Sequence, residues 1–181
     1  IIYDLNEDSV IMDVGGFTGV WAAQMIERYN PNVYIVEPVP KFYDGMVSKF
    51  KNNNKVHLLN VGVSIEDKVG ELVLSGDGTS SNIKGGESIS VKFNTIETIL
   101  DRFNLNSVDL IQINIEGDEY PLLEYMIDRG IINKFENIQI QFHLGSINCR
   151  EGREEIRDGL KRNGFKIRFD YPFVWESWYR K

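Results

Sequence analysis

Residues Met12 to Gly19 read M-D-V-G-G-F-T-G. The apolar run Ser9 to Val14 leads into them, and a stretch of helical periodicity, Phe17 to Tyr29, leads out. A buried strand that passes through a glycine turn into a helix is the opening unit of an alternating α/β sheet. In such sheets ligands bind outside the carboxyl ends of the strands, beside the point where strand order reverses. Glycines there let the backbone approach a ligand, so this one stretch predicts both a fold class and the place of a site.

The alternation continues outward from it. Val33 to Val36 is an apolar strand, Pro40 to Asn52 a helix, and Val56 to Val63 a third strand. Glu71 to Leu74 and Ile89 to Phe93 read as an antiparallel hairpin, inserted around a polar loop, Gly76 to Asn82, with a mobile tip. A short helix is expected over Thr95 to Phe103, then a strand from Val108 to Ile115, a helix from Tyr120 to Arg129 and a strand from Asn137 to Phe142. Arg150 to Arg162 reads as a charged helix with a solvated face. Phe165 to Tyr171 and Val174 to Tyr179 close the chain as an antiparallel pair. The expectation is a mostly parallel sheet with helices on both faces and one antiparallel strand near an edge.

Length and composition fit one domain over residues 1–181. With 42% hydrophobic and 26% charged residues the chain is neither disordered nor fibrous. The net charge of −7 argues against a general nucleic-acid binder, which works by neutralising phosphates. Cys149 is the single cysteine, which excludes an internal disulfide and a cysteine-built zinc site and points to a reducing, cytoplasmic setting. No apolar run approaches the ~18–20 residues of a bilayer span.

Two features specify the ligand. Glu37 ends the second strand, 24 residues after Asp13, where a carboxylate can accept hydrogen bonds from two ribose hydroxyls. Val14 stands where a dinucleotide fingerprint needs its first glycine, and Asp13 sits just before the turn. A negative charge repels a pyrophosphate but attracts the amino group and sulfonium of S-adenosylmethionine. The methyl donor is therefore favoured over a nicotinamide cofactor.

Four stretches together resemble the FkbM family of S-adenosylmethionine-dependent methyltransferases. They are D-V-G-G-F-T-G from Asp13, Y-I-V-E-P-V-P-K-F from Tyr34, V-D-L-I-Q-I-N-I-E-G-D-E from Val108, and I-Q-I-Q-F-H from Ile138. The resemblance implies a class I methyltransferase fold, a three-layer α/β sandwich with strand order 3-2-1-4-5-7-6 and strand seven antiparallel. It implies O-methylation of a hydroxyl on a carbohydrate or similar polyol. It carries donor binding to Asp13, Gly15, Gly16, Thr18 and Gly19, ribose recognition to Glu37, and the adenine side to Pro38, Asn60 and Gly62.

The chain departs from the family where Gln112, Asn114 and Gln141 replace charged residues. Their amides carry no negative charge, which weakens a magnesium site of the kind some class I enzymes use, so no required metal is expected. The paired amides also motivate a second reading, a binding module that keeps the fold without catalysis. The expected catalytic residues are His143 as base, with Glu116 as second base or as the group orienting His143, and Asn114 lining the reacting centre. An unperturbed imidazole titrates near pH ~6.5, which suits that task. His57 is expected to be structural. Phe173, Trp175 and Trp178 read as packing, with a sugar-stacking face on one tryptophan as the sharper alternative. Residues 150–181 carry nine Lys/Arg against six Asp/Glu, which raises a docking patch for an anionic glycan. Only eight residues precede Ser9, so three arrangements of the acceptor-selecting lid are open: absent, replaced by the hairpin around Gly76 to Asn82, or supplied by an upstream domain.

Overall fold

The structure, a computed structural model, describes residues 2–75, 78–80, 87–144 and 148–180. Its elements run β1 (Val10–Val14), α1 (Val20–Tyr29), β2 (Asn32–Val36), α2 (Pro40–Phe50), β3 (Val56–Leu59), β4 (Gly62–Val63), β5 (Lys68–Ser75), β6 (Gly78–Ser80), β7 (Glu87–Asn94) and α3 (Ile96–Arg102). They continue with β8 (Val108–Ile113), α4 (Glu119–Asp128), a 3₁₀ turn (Ile131–Lys134), β9 (Phe135–Ile140), α5 (Cys149–Arg162), β10 (Lys166–Tyr171) and β11 (Trp175–Tyr179).

The main sheet has seven strands in the order β3-β2-β1-β8-β9-β11-β10. β1, β2, β3, β8 and β9 run parallel, and β11 is antiparallel to both β9 and β10. This is the strand order and the antiparallel edge of the class I methyltransferase fold. β1 is covered on both faces, as central strands of parallel sheets are. Ile11 packs with Ala22, Met25, Val33, Ile35, Met46 and Phe50 on the α1–α2 side. Met12 and Val14 pack with Ile111, Ile113, Leu122, Leu123, Ile138 and Ile140 on the other side. Asp13 is thus a buried acid in a strand otherwise made of apolar residues.

Local chemistry sets the helix starts. Pro40 opens α2, where its missing N–H costs nothing. Thr95 caps α3, its hydroxyl oxygen accepting from the Thr98 N–H at 3.2 Å.

Two expectations about the insertion are corrected. Val56 to Val63 is not one strand: it ends at Leu59, and Gly62–Val63 leaves the main sheet to pair in parallel with β7. The insertion is therefore more than a hairpin. It is a second sheet in the order β4-β7-β5-β6, and Gly78–Ser80, expected in a loop, forms its β6. Gly76, Asp77 and residues 81–86, the rest of the expected mobile tip and its flank, lie outside the described residues. The small sheet packs Leu72, Val91 and Phe93 against Val39 and Phe42 at the start of α2. That places it over the carboxyl edge of the main sheet, beside Glu37.

Candidate active site

The carboxyl ends of β1, β2 and β8 enclose a cleft of about 250 Å³. Gly15 and Phe17 form one wall, Glu37 and Pro38 a second, and Asn114, Ile115, Glu116 and Asp118 a third. Gly62, Val63, Leu72 and Phe93 close it from the inserted sheet, with Val61 just before β4.

Gly15 has φ +85°, and a Cβ there would overlap the carbonyl oxygen of Asn114. Only glycine combines that backbone region with that approach. Its N–H and that of Gly16 both reach the Val36 carbonyl, at 3.0 and 3.2 Å, which fastens the turn to β2. Two non-glycine residues on the cleft wall also take left-handed conformations, Phe17 at φ 49° and Glu116 at φ 55°. Such residues cluster where a site over-determines the backbone.

Glu37 is buried. One carboxylate oxygen accepts from the Phe17 N–H and the other from the Val39 N–H, each at 2.8 Å. Each oxygen keeps a second lone pair, which is what two neighbouring hydroxyls require. Burial raises the Glu37 pKa, and the two backbone N–H groups oppose that only in part.

Asp13 lies one residue behind the cleft wall formed by Val14. Neither of its carboxylate oxygens has a hydrogen-bond partner, and the same holds for the side-chain amide oxygens of Gln112 (Oε1) and Asn114 (Oδ1). Burial, with Glu37 adding repulsion, pushes the Asp13 carboxyl up to about 7. Asp13 therefore does not present the permanent negative charge expected of it at neutral pH.

Of the other expected donor-binding residues, Gly16, Thr18, Gly19 and Asn60 do not line the cleft. Gly16 packs on Ile35 and Met46, and Gly19 on Met46 and Phe50. Thr18 is exposed, and its carbonyl accepts from Lys49 Nζ at 3.1 Å. The Asn60 amide donates to the carbonyls of Glu37 (2.8 Å) and Pro38 (3.1 Å), so it braces the β2 end from behind. Gly62 lines the cleft, but a Cβ there would lie 2.5 Å from the Phe93 ring: its missing side chain makes room for Phe93.

Beside the third wall stands His143. Its Nε2 is 3.6 Å from a carboxylate oxygen of Glu116. Its Nδ1, however, meets Glu119, at 3.1 Å, and the same oxygen accepts the His143 backbone N–H at 2.6 Å. The other Glu119 oxygen accepts the Gly117 N–H at 2.7 Å. Glu119 is fully buried. The Tyr120 hydroxyl donates to the His143 carbonyl at 2.8 Å. Burial pulls the imidazole pKa down, but the hydrogen bond and charge of Glu119, with Glu116 behind it, outweigh that and raise it. Sequence reasoning missed Glu119. The signal was present, an acid at the first position of the helix inside the I-E-G-D-E stretch.

Several of the remaining expectations resolve as structural contacts, while Trp175, on β11, is half-buried. Trp178 is buried, and its indole N–H donates to Glu176 at 3.1 Å, so it offers no stacking face. His57 stacks on Tyr34 with centroids 4.7 Å apart. The solvated face expected of α5 is wrong at Arg153, which is buried and paired with Glu176 and Asp170. Arg157 bonds the same two acids. Two guanidinium groups expected to be available for an anionic glycan are thus already engaged. Among the described residues no group of three His, Cys, Asp or Glu side chains is arranged to hold a metal ion, and no helix is long and apolar enough to cross a membrane.

The profile of the methyltransferase FkbM domain matches residues 13–167. Among solved structures, a Methanococcus jannaschii fibrillarin pre-rRNA processing protein aligns with a TM-score of 0.59 and 14% identity, over 99% of this chain and 70% of that one. An Aeropyrum pernix fibrillarin with natively bound S-adenosyl-L-methionine aligns at 0.56 and 11%, over 98% and 70%. An rRNA methylase from Streptococcus thermophilus aligns at 0.56 and 10%, over 97% and 89%. At these identities the likeness is one of fold. No curated protein sequence matches the chain.

Proposed function

The chain belongs to the FkbM methyltransferase family and is an S-adenosylmethionine-dependent methyltransferase, and from that premise we propose that it methylates a hydroxyl of a carbohydrate or similar polyol by metal-independent, base-assisted displacement. The residues at the cleft fit the donor: a glycine-only turn, a carboxylate with two free acceptor positions, and the buried, unpartnered oxygens of Asp13 and Asn114. Glu37 would hold the ribose hydroxyls, Pro38 and the Val61–Gly62 backbone the adenine side, and Gly15 with Asp13 behind it the methionine end. When bound, the donor supplies an electrophilic methyl group on sulfonium, released as a neutral thioether once the carbon–sulfur bond breaks.

The chain's own work is to place the acceptor oxygen and take its proton. Alignment in a closed cleft is worth ~7–11 kcal/mol in favourable cases. An alcohol oxygen attacks well only as its proton leaves, and His143 Nε2 is the base that receives it. Glu116, 3.6 Å from that nitrogen, stabilises the imidazolium that forms. Asn114 Oδ1 accepts a hydrogen bond at the reacting centre. The single observation that carries this reading is a histidine just past the end of β9, held by a buried carboxylate and 3.6 Å from Glu116, which lines the donor cleft. The sugar class follows the family resemblance, and the net charge of −7 disfavours a polyanionic acceptor. The lone Cys149 fits a reducing cytoplasmic setting.

Radiolabelled S-adenosylmethionine and a panel of glycans and polyols test the proposal. His143→Ala should abolish transfer while S-adenosylhomocysteine affinity, by calorimetry, stays within a few-fold. Unchanged turnover would remove His143 from the mechanism. Donor binding with no transfer to any acceptor would leave the non-catalytic module, and capture of NAD in place of S-adenosylhomocysteine would overturn the donor assignment.

A further inference from the structure

We propose that Glu119 is the positioning residue for the transfer: its buried carboxylate fixes the proton of His143 on Nδ1 and leaves Nε2 bare toward Glu116 and the cleft. The inference rests on the reading of His143 as the base, and it adds a residue that the sequence did not single out.

The geometry of one carboxylate carries it. One Glu119 oxygen accepts both the backbone N–H and the Nδ1 position of His143. A carboxylate can only accept, so Nδ1 must carry the hydrogen that fills the 3.1 Å gap. With the proton on Nδ1, a neutral imidazole has its lone pair on Nε2. The second Glu119 oxygen accepts from Gly117 N–H, directly after Glu116 in the chain. A single side chain therefore ties the loop after β8, which holds Glu116, to the segment just past β9, which holds His143.

The grip on His143 is completed by Tyr120, whose hydroxyl holds the His143 carbonyl at 2.8 Å. Histidine N–H, ring and C=O are thus all held from the first turn of α4. Among the described residues, the titratable groups acting on the ring are Glu119 from α4 and Glu116 from the turn before it. Once Nε2 takes the acceptor proton, the imidazolium lies between two carboxylates, which favours the charged form. Glu119 has no exposed surface, so its charge is poorly screened by solvent and acts at close range.

Histidine-labelled protein, with ¹⁵N in the rings, reads this directly. His57→Gln assigns the two histidines. Above its midpoint His143 should show a protonated Nδ1 and a bare Nε2, and the midpoint should lie above that of a free imidazole. Glu119→Gln should lower the midpoint by about one pH unit, a roughly tenfold loss of proton affinity. The acidic limb of the methyl-transfer pH profile should move with it, and turnover should fall about 10²-fold or more. S-adenosylhomocysteine affinity should stay within a few-fold. Glu119→Asp, which keeps the charge, should restore part of both shifts. A proton on Nε2, or a midpoint unmoved in Glu119→Gln, overturns the role of Glu119 alone. Full turnover in His143→Ala overturns the base reading beneath it. Should Glu119→Gln fail to fold by circular dichroism, the wild-type tautomer and midpoint, compared with Glu119→Asp, decide the matter.

Discussion

The α-carbon of Gly15 faces the carbonyl oxygen of Asn114 so closely that no side chain fits between them. The two residues belong to adjacent parallel strands, β1 and β8, and each is the first past its strand end. The Asn114 N–H also donates to the Val14 carbonyl at 3.0 Å. The glycine turn and the Asn114–Glu116 wall are therefore one surface, and the cleft inherits its shape from their contact.

Gly15→Ala should consequently damage both stability and donor binding. A non-glycine residue at φ +85° costs ~1–3 kcal/mol, and the overlap with Asn114 adds to it. A melting temperature several degrees lower, with S-adenosylhomocysteine binding reduced at least tenfold, is the expected result. A variant that melts and binds as the wild type does would show that the turn can shift away from Asn114.

Asp13 links stability to pH. Its carboxyl is raised from 3.8 to about 7 by burial first and by Glu37 second. For an acid shifted upward, folding favours the protonated form. The stabilisation is complete below the unfolded pKa of 3.8 and disappears as pH rises through about 7. Asp13→Asn should therefore match the wild type near pH 4 and exceed it at pH 8, by on the order of a few kcal/mol. The same variant should bind S-adenosylhomocysteine more weakly at pH 8, where the wild-type carboxylate is charged. Chemical denaturation at the two pH values checks the first outcome; a wild type that stays ahead at pH 8 would contradict it.

The strands, helices and mostly parallel sheet were legible from the alternation of β-rich runs and helical stretches, because β1, β2 and β8 are largely buried and rich in apolar residues, whereas the strand order was implied by the family resemblance. What could not be read were long-range partners. Val56 to Val63 looks uninterrupted, yet it breaks at Asn60, whose amide is committed to the carbonyls of Glu37 and Pro38. Gly62 looks like a ligand-facing glycine until Phe93, 31 positions later, occupies its side-chain space. Glu119 looks like an ordinary first-turn acid, and only the adjacency of β8 and β9 brings His143 to it. Alternating charges made α5 look solvated, while the acids that bury Arg153 lie on β10 and β11.

That buried pair gives a stability prediction separate from the cleft. Arg153 and Glu176 are both buried, and Asp170 bonds the same guanidinium at 2.6 Å. Removing one partner of such a pair costs about 3–5 kcal/mol, because the other charge stays buried without compensation. Arg157, 3.3 Å from Glu176, and the Trp178 indole stay in place, so Arg153→Met should show a loss toward the lower end of that range at pH 7. Burial already raises the Glu176 pKa against the pull of Arg153 and Arg157. Without Arg153 the acid binds its proton more readily in the fold, so the deficit should shrink as pH falls. Equal deficits at pH 5 and pH 8 would show that lost packing, not the orphaned charge, is responsible.

Glu37→Gln separates the two duties of that carboxylate. Both oxygens accept backbone N–H groups, from Phe17 and from Val39. A glutamine has one oxygen, so its NH₂ must face one of those N–H groups, donor against donor. The turn after β1 or the start of α2 then loosens, and one ribose hydroxyl loses its acceptor. Hydrogen bonds to a charged group contribute ~1.5–3 kcal/mol each, so S-adenosylhomocysteine affinity should fall about tenfold or more. Because the Glu37 pKa is raised by burial, part of the wild-type affinity should itself be lost at acid pH as the carboxylate takes a proton. The glutamine variant, having no such proton to bind, should show a flatter pH dependence in the same titration. An affinity unchanged from wild type at pH 8 would place the ribose elsewhere in the cleft and leave Glu37 as a brace between the two turns.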